Sequence, residues 1–278
     1  MDWKTRAIIE HCRALGMNLN ANGYVGNHIE NLICEFENWE EIEEEFGGGQ
    51  GGELNPDRNG NIKFDAAHSS SALCANNFAP FKLKMDEFCL FNQSGFFEAS
   101  FEKKLSTGIS KPNLDFFLRN EAAIIGLESK FTEVFDRKLP NKEGNLNKYQ
   151  ERDELGYLPN ELKEIIDYYA ESEDKLYLDV AQLIKHSIGL INEARLIPVQ
   201  PILVYIYWQP TNWYDLKLYR KHEKEIQDFK IRIEAAIPFV PLSYLEFWKL
   251  FETDAIFKSH IELVKERYSM SLLRNNLP

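Results

Sequence analysis

The chain has 278 residues, 44% hydrophobic and 13% aromatic, enough to bury a substantial core in one large domain. Its opening stretch, "MDWKTRAIIEHCRALG", is too charged for an apolar signal segment, and no run approaches the roughly 20 apolar residues of a membrane span, so a cytoplasmic location without membrane contact is expected. With 44 acidic against 32 basic residues the net charge is −12, which argues against non-specific coating of nucleic acid but leaves room for a local basic cleft.

Helical spacing predicts a first helix over 3–15, with Ile8, Cys12 and Leu15 on one stripe. A second is expected over 27–46, with Ile29, Leu32, Ile33, Phe36 and Trp39 on its apolar side. Within it, "EFENWEEIEEEF" places seven glutamates in twelve residues; without them the balance would be −5. The acidity therefore belongs partly to one element. "GGGQGG", 47–52, formally satisfies G-x-G-x-x-G, but a dinucleotide site needs those glycines between a strand and a helix. An acidic helix precedes them here, so they are read as a helix stop and loop.

"HSSSALCANNFAPF", 68–81, is expected to form a helix capped by one of its serines and closed before Pro80. No G-x-S-x-G elbow occurs in the chain, which removes nucleophilic serine chemistry. Three β-like runs follow, "GFFEASFEKKLS", "LDFFLRN" and "AAIIGLESKFTEVF", separated by turn-type residues and read as a meander. A polar loop around 139–161 leads to helical spacing near Glu161 and through "LYLDVAQLIKHSIGLINEA". "IPVQPILVYIYW", 197–208, has the pattern of a central strand covered on both sides. A charged helix at about 213–235, then "VPLSYLEFWKLFE" and a C-terminal helix ending near Arg274, complete the chain. Cys12, Cys34, Cys74 and Cys89 match no zinc spacing and are read as reduced packing residues. The order predicts an α/β layered architecture with a mixed central sheet.

One feature of the third β run points to chemistry. Glu128 and Lys130 interrupt an apolar strand and share a face, because strand side chains alternate. A hairpin turning about the Asn120–Glu121 bond would set Asp115 across from Gly126 and diagonal to Glu128, with Gly126 leaving the space open. An E-x-K pair alone most often decorates a solvated face. Here the first half of the strand is apolar on both faces, so the charges would lie at the mouth of a buried sheet, where unpartnered burial costs several kcal/mol, about 2–7 for a polar group. Asp115 and Glu128 suit a hard divalent cation such as Mg²⁺, with Mn²⁺ as an alternative occupant, and Lys130 suits charge developing on a phosphate. Phosphodiester hydrolysis is the reaction these groups imply.

"PNLD" followed by "GLESK" resembles the PD-(D/E)XK motif of the restriction-endonuclease-like nuclease superfamily, with Asn113 and Leu114 intervening between Pro112 and Asp115. "GGEL", "AHSSSALCANNF", "NLDFFL", "ESKFTE" and "QLIKHSIGL" together resemble a bacterial family of restriction-endonuclease-like proteins. The resemblance implies an α-β-β-β-α-β core, matched over about 53–208, within a single domain spanning 1–278. Residues 1–46 would be an N-terminal helical extension and 209–278 a C-terminal helical part. It makes Asp115 and Glu128 metal ligands and Lys130 the catalytic lysine. Members often add an acid from the first core helix or strand, for which Glu53 is preferred over Glu98, because "EKK" after Glu98 reads as an exposed face. A helical Q-x-x-x-Y element of related nucleases corresponds to Gln182 and His186, with His in place of Tyr, on a face distinct from the Val180, Ile184 and Ile191 stripe. Lys103, Lys104, Lys111 and Arg119 are candidate backbone contacts. The implied function is Mg²⁺-dependent endonucleolytic hydrolysis of DNA, in restriction or defence, with a homodimer compatible. The rivals are a catalytically inactive nuclease-fold binding or scaffold protein and an RNA- or structure-specific nuclease.

Overall fold

The apolar runs become strands at the expected places. In the computed structural model, which describes residues 1–48, 52–150 and 153–273, five strands lie side by side in sequence order. They are β1 (Glu98–Lys104), β2 (Asn113–Arg119), β3 (Ala123–Lys130), β4 (Gln200–Tyr207) and β5 (Phe239–Ser243). β1, β2 and β3 form the antiparallel meander, while β4 and β5 run parallel to β3. All eight residues of β3 are buried, as expected of a strand covered on both faces. The architecture is the predicted mixed α/β one, compatible with a restriction-endonuclease-like fold.

The helices are α1 (Trp3–Ala14), α2 (Trp39–Gly48), α3 (Ser70–Leu83), α4 (Asn160–Ala170), α5 (Val180–Leu196), α6 (Lys217–Ile233), α7 (Tyr244–Phe251) and α8 (Lys258–Tyr268). On one face of the sheet, Phe78 of α3 stacks on Phe116 of β2 with ring centroids 4.9 Å apart, and α7 closes over it through Phe247. On the other face α5 approaches β3 and α6 packs on β5, where Phe229 meets Phe239 at 5.1 Å.

Gly126 is what lets α5 come so close. A Cβ there would lie 2.7 Å from Leu114 and 2.9 Å from Leu190 of α5, closer than carbon atoms pack. The predicted open space beside Gly126 is thus filled by Leu190, and this glycine serves packing.

Three further expectations are corrected. The helix predicted over 27–46 is a 3-10 turn at His28–Asn31 followed, after an extended stretch, by α2. Tertiary bonds hold the break: Asn31 Nδ2 donates to Phe64 O at 2.5 Å and Ala66 O at 2.9 Å, and Asn31 O accepts from Asn76 and Arg267. Ile29, assigned to the apolar stripe, is exposed. The reading of "GGGQGG" holds as far as α2 ending at Gly48; residues 49–51 lie outside the described residues. "VPLSYLEFWKLFE" divides into β5 and α7 at Ser243, whose side chain caps α7 in a reciprocal box with Glu246. Of the cysteines, all four are free, but Cys89 is exposed and packs nothing away.

The third correction concerns Pro80, which lies inside α3. Proline supplies no N–H, so the carbonyl four residues earlier, Asn76 O, loses its helical donor. His260 of α8 takes that place, with Nε2 2.7 Å from Asn76 O. The ring must be neutral in the tautomer that carries a proton on Nε2, and burial lowers its pKa to about 4. His260→Ala is expected to cost about 1–3 kcal/mol, the penalty of an unsatisfied buried carbonyl, read as a shift in urea midpoint. Pro80→Ala in that background should recover part of it by restoring an N–H. Because the native pKa is depressed below 6.5, His260's share of stability is fully present above that pH. It is lost as the pH falls towards about 4, since the unfolded chain binds the proton first.

Candidate active site

The β2–β3 turn sets the site. Asn120 Oδ1 accepts from Ala122 N at 2.9 Å and Ala123 N at 2.7 Å, while Asn120 N donates to Ala123 O. Asn120 therefore closes the ladder, and the two turn residues are Glu121 and Ala122. Phe117 faces Gly126 and Phe116 faces Leu127, a register two residues away from the predicted one. A shift of two preserves the face. The paired ladder ends at Phe116 with Leu127; carried one step further, the same register would set Asp115 opposite Glu128, where a diagonal had been predicted.

Glu128 is fully buried, at 0% exposure, and Lys130 nearly so at 8%. Lys130 Nζ contacts Glu128 Oε1, and His186 Nε2 of α5 lies 2.7 Å from Glu128 Oε2. Neither carboxylate oxygen receives an in-line hydrogen bond, so the Lys130 contact is an ion pair of imperfect geometry. Burial opposes charge on Glu128, but Lys130 and His186 outweigh it and hold its pKa below the usual range. Burial likewise opposes charge on Lys130, yet Glu128, Glu133 and Asp115 hold its pKa well above normal. Asp115 accepts from Ser129 N at 2.6 Å through Oδ2. Burial, then the Glu128 charge, drives its carboxyl pKa well up.

Asp115 and Lys130 open on a cleft of about 870 Å³ that is also lined by Glu53, Glu102, Glu133, Asp179 and Gln182, among others, while Glu128 and His186 are buried and do not line it. The first turns of α3 and α5 both contribute to its wall, and helix N-termini favour anions. Lys63, Lys111, Lys130, Lys138, Lys142 and Lys185 line it too. A chain of net charge −12 therefore carries a lysine-rich cleft, the local arrangement its overall acidity left open. Lys138 pairs with Asp179 at 2.8 Å, whereas Lys111 and Lys185 have no ion pair among the described residues. Of the four predicted basic contacts only Lys111 reaches the cleft. Lys103 and Arg119 are drawn to Glu98, and Lys104 donates to Gly48 O.

The supporting candidates separate. Gln182 lines the cleft from the first turn of α5. His186, predicted on a polar helix face, is instead fully buried against Glu128. Glu53 lines the cleft but is engaged, accepting from Ser71 Oγ at 2.8 Å beside Lys63 at 3.4 Å. Glu98, the alternative, sits opposite Arg119 at the far end of β1. Sequence patterning did not single out Glu102, in the "EKK" assigned to an exposed face. It is 9% exposed and lines the cleft, with a left-handed backbone, φ 51°, that strand alternation does not foresee. Glu133, also not singled out, accepts from Ser70 Oγ at 2.5 Å and Phe131 N at 3.0 Å, tying α3 to the end of β3.

Among the described residues no group of three or more His, Cys, Asp and Glu side chains could hold a metal ion by itself. The donor chemistry still fits a hard divalent cation. Such ions take oxygen ligands and retain several waters, and Asp115 carries a carboxyl whose charge is penalised by burial and like-charged neighbours, a penalty that a cation relieves.

A mixed five-stranded sheet flanked by helices is compatible with a restriction-endonuclease-like protein. The chain belongs to the family described as restriction endonuclease associating with ARP, whose match spans residues 3–269. That family points to a nuclease-like role. No curated protein and no solved structure matches the chain. No helix among the described residues is long and apolar enough to cross a membrane.

Proposed function

We propose that the protein is a divalent-cation-dependent endonuclease of PD-(D/E)XK type that hydrolyses DNA phosphodiester bonds, with Asp115 and Glu128 as metal ligands and Lys130 as the catalytic lysine. The observation that carries this reading is that Asp115 and Lys130 line one cleft together with several other lysines, with the Glu128 carboxylate buried against Lys130 behind it. Bound Mg²⁺ would supply Lewis-acid polarisation of the phosphoryl oxygen and a more acidic water. Lys130, held charged by three carboxylates, stabilises negative charge as the phosphate is attacked. His186 fixes Glu128 from beneath. Lys111 and Lys185 contact backbone phosphates, and Gln182 binds a water or phosphate oxygen at the α5 wall. A role in restriction or defence, with ARP as the associated partner, follows from the family's description alone.

One observation favours the rival binding or scaffold protein: the Glu128 carboxylate is already occupied by Lys130 and His186. The deciding assay incubates the purified chain with plasmid, single-stranded DNA and RNA, in Mg²⁺, Mn²⁺ or chelator. Cation-dependent cleavage that disappears in Asp115→Ala supports the nuclease. Equal cleavage by wild type and Asp115→Ala, or none on any substrate in either metal, would reject it.

A further inference from the structure

One wall of the cleft is a strap, reached from the end of β3, that carries Lys138, Leu139, Pro140, Lys142 and Asn145 along it. The strap starts beside the candidate lysine, since Lys138 and Lys130 also line one small gap with Glu133 and Asp179. It is pinned on both sides of Leu139. Lys138 exchanges two backbone bonds with Leu176, at 2.7 and 2.8 Å, and its amine donates to Asp179 at 2.8 Å. Asn141 donates to Ala170 O at 2.9 Å and accepts from Leu146 N at 2.8 Å. Pro140 is buried and restricts the backbone of the residue before it to extended conformations. Leu139 is nonetheless 38% exposed, and among the described residues it is the one exposed large hydrophobic side chain that lines the cleft. A lone exposed leucine is ordinary on a protein surface. This one is fixed in place among lysines that attract phosphates, and a phosphate offers nothing to a hydrocarbon side chain, whereas the face of a base does.

We propose that Leu139 is a wedge that enters a base step of duplex DNA lying in the cleft, unstacking it while Lys142 and Lys111 hold flanking phosphates. The proposal rests on the reading of the cleft as a DNA-cleaving site. Apolar side chains, leucine among them, unstack and kink DNA at a cost of a few kcal/mol per step. A strap fixed before the DNA arrives loses little conformational freedom on binding, so that cost falls on the DNA. Pyrimidine–purine steps, which unstack most easily, are then the preferred points of entry.

The test uses short duplexes of mixed sequence, each with 2-aminopurine at one position, whose emission rises when that base is unstacked. Binding is followed by anisotropy, in chelator and in Ca²⁺, for the full chain as wild type, Leu139→Ala and Leu139→Met. Wild type should raise the emission several-fold at pyrimidine–purine steps. Leu139→Ala should remove the rise while still binding within about 10-fold of wild type, because losing the wedge also spares the unstacking cost. Leu139→Met, which keeps a long apolar side chain, should restore it. The circular dichroism spectrum should not change in either variant, since the side chain is exposed. Wild type that binds without a rise at any position, or an equal rise with Leu139→Ala, overturns the wedge; cation-dependent cleavage alongside that result leaves the nuclease reading standing. Wild type that neither binds nor cleaves any duplex removes both together.

Discussion

Lys130→Ala is expected to lower DNA cleavage by about 10²–10³-fold, the usual scale for deleting a group aimed at developing charge. It should also destabilise the fold. The ammonium is 8% exposed and touches a fully buried Glu128, and removing one member of a buried pair typically costs about 3–5 kcal/mol because the other charge is stranded. Asp115→Asn should abolish cleavage with the opposite effect on stability. Its carboxyl is held well above its normal pKa by burial and by Glu128, so a neutral isostere relieves repulsion and should raise the melting temperature in chelator. Plasmid nicking rates and urea melts on the two variants check both halves. Two activity losses with stability shifts of opposite sign would match the site; wild-type cleavage by Lys130→Ala would remove the lysine from it.

Phe81→Ala is expected to be among the most destabilising single truncations, at about 3–5 kcal/mol. Phe81 is fully buried at the C-terminal half of α3. Its ring meets Phe257 at 4.2 Å, Phe88 at 4.4 Å, Phe251 at 4.9 Å and Phe247 at 5.7 Å. The cluster ties α7 and the approach to α8 onto the helix whose first turn walls the cleft. Loss should therefore loosen the C-terminal part before the hairpin that carries Asp115 and Glu128. Chemical denaturation gives the magnitude, and hydrogen exchange of α7 against β3 gives the order; a change under about 1 kcal/mol would show that the rings close over the gap.

Much of this was written locally. Alternation and apolar runs specify β1 to β4, the helical period specifies α1 and α5, and the strand period alone puts Glu128 and Lys130 on one face. The common face of Asp115 and Glu128 also follows, because any hairpin register of the right parity preserves it. The register of the hairpin did not follow, since it depends on the Asn120 side chain accepting from Ala122 N and Ala123 N and moving the turn by one residue.

Other features needed the folded chain. Gly126 has no sequence signal that distinguishes an open cavity from a filled one; Leu114 across the hairpin and Leu190, 64 residues later, decide it together. Pro80 ends a helix by local rules and continues one here because His260 supplies the missing donor. Glu102 reads as a surface charge until its burial beside the cleft is seen. The strand order of the hairpin core and the shared face of Glu128 and Lys130 are legible in the chain itself, because they depend on periodicity and residue type. Which charges are buried together, and which lysines line the cleft, was settled only on folding, because burial and pairing come from elements far apart in the chain.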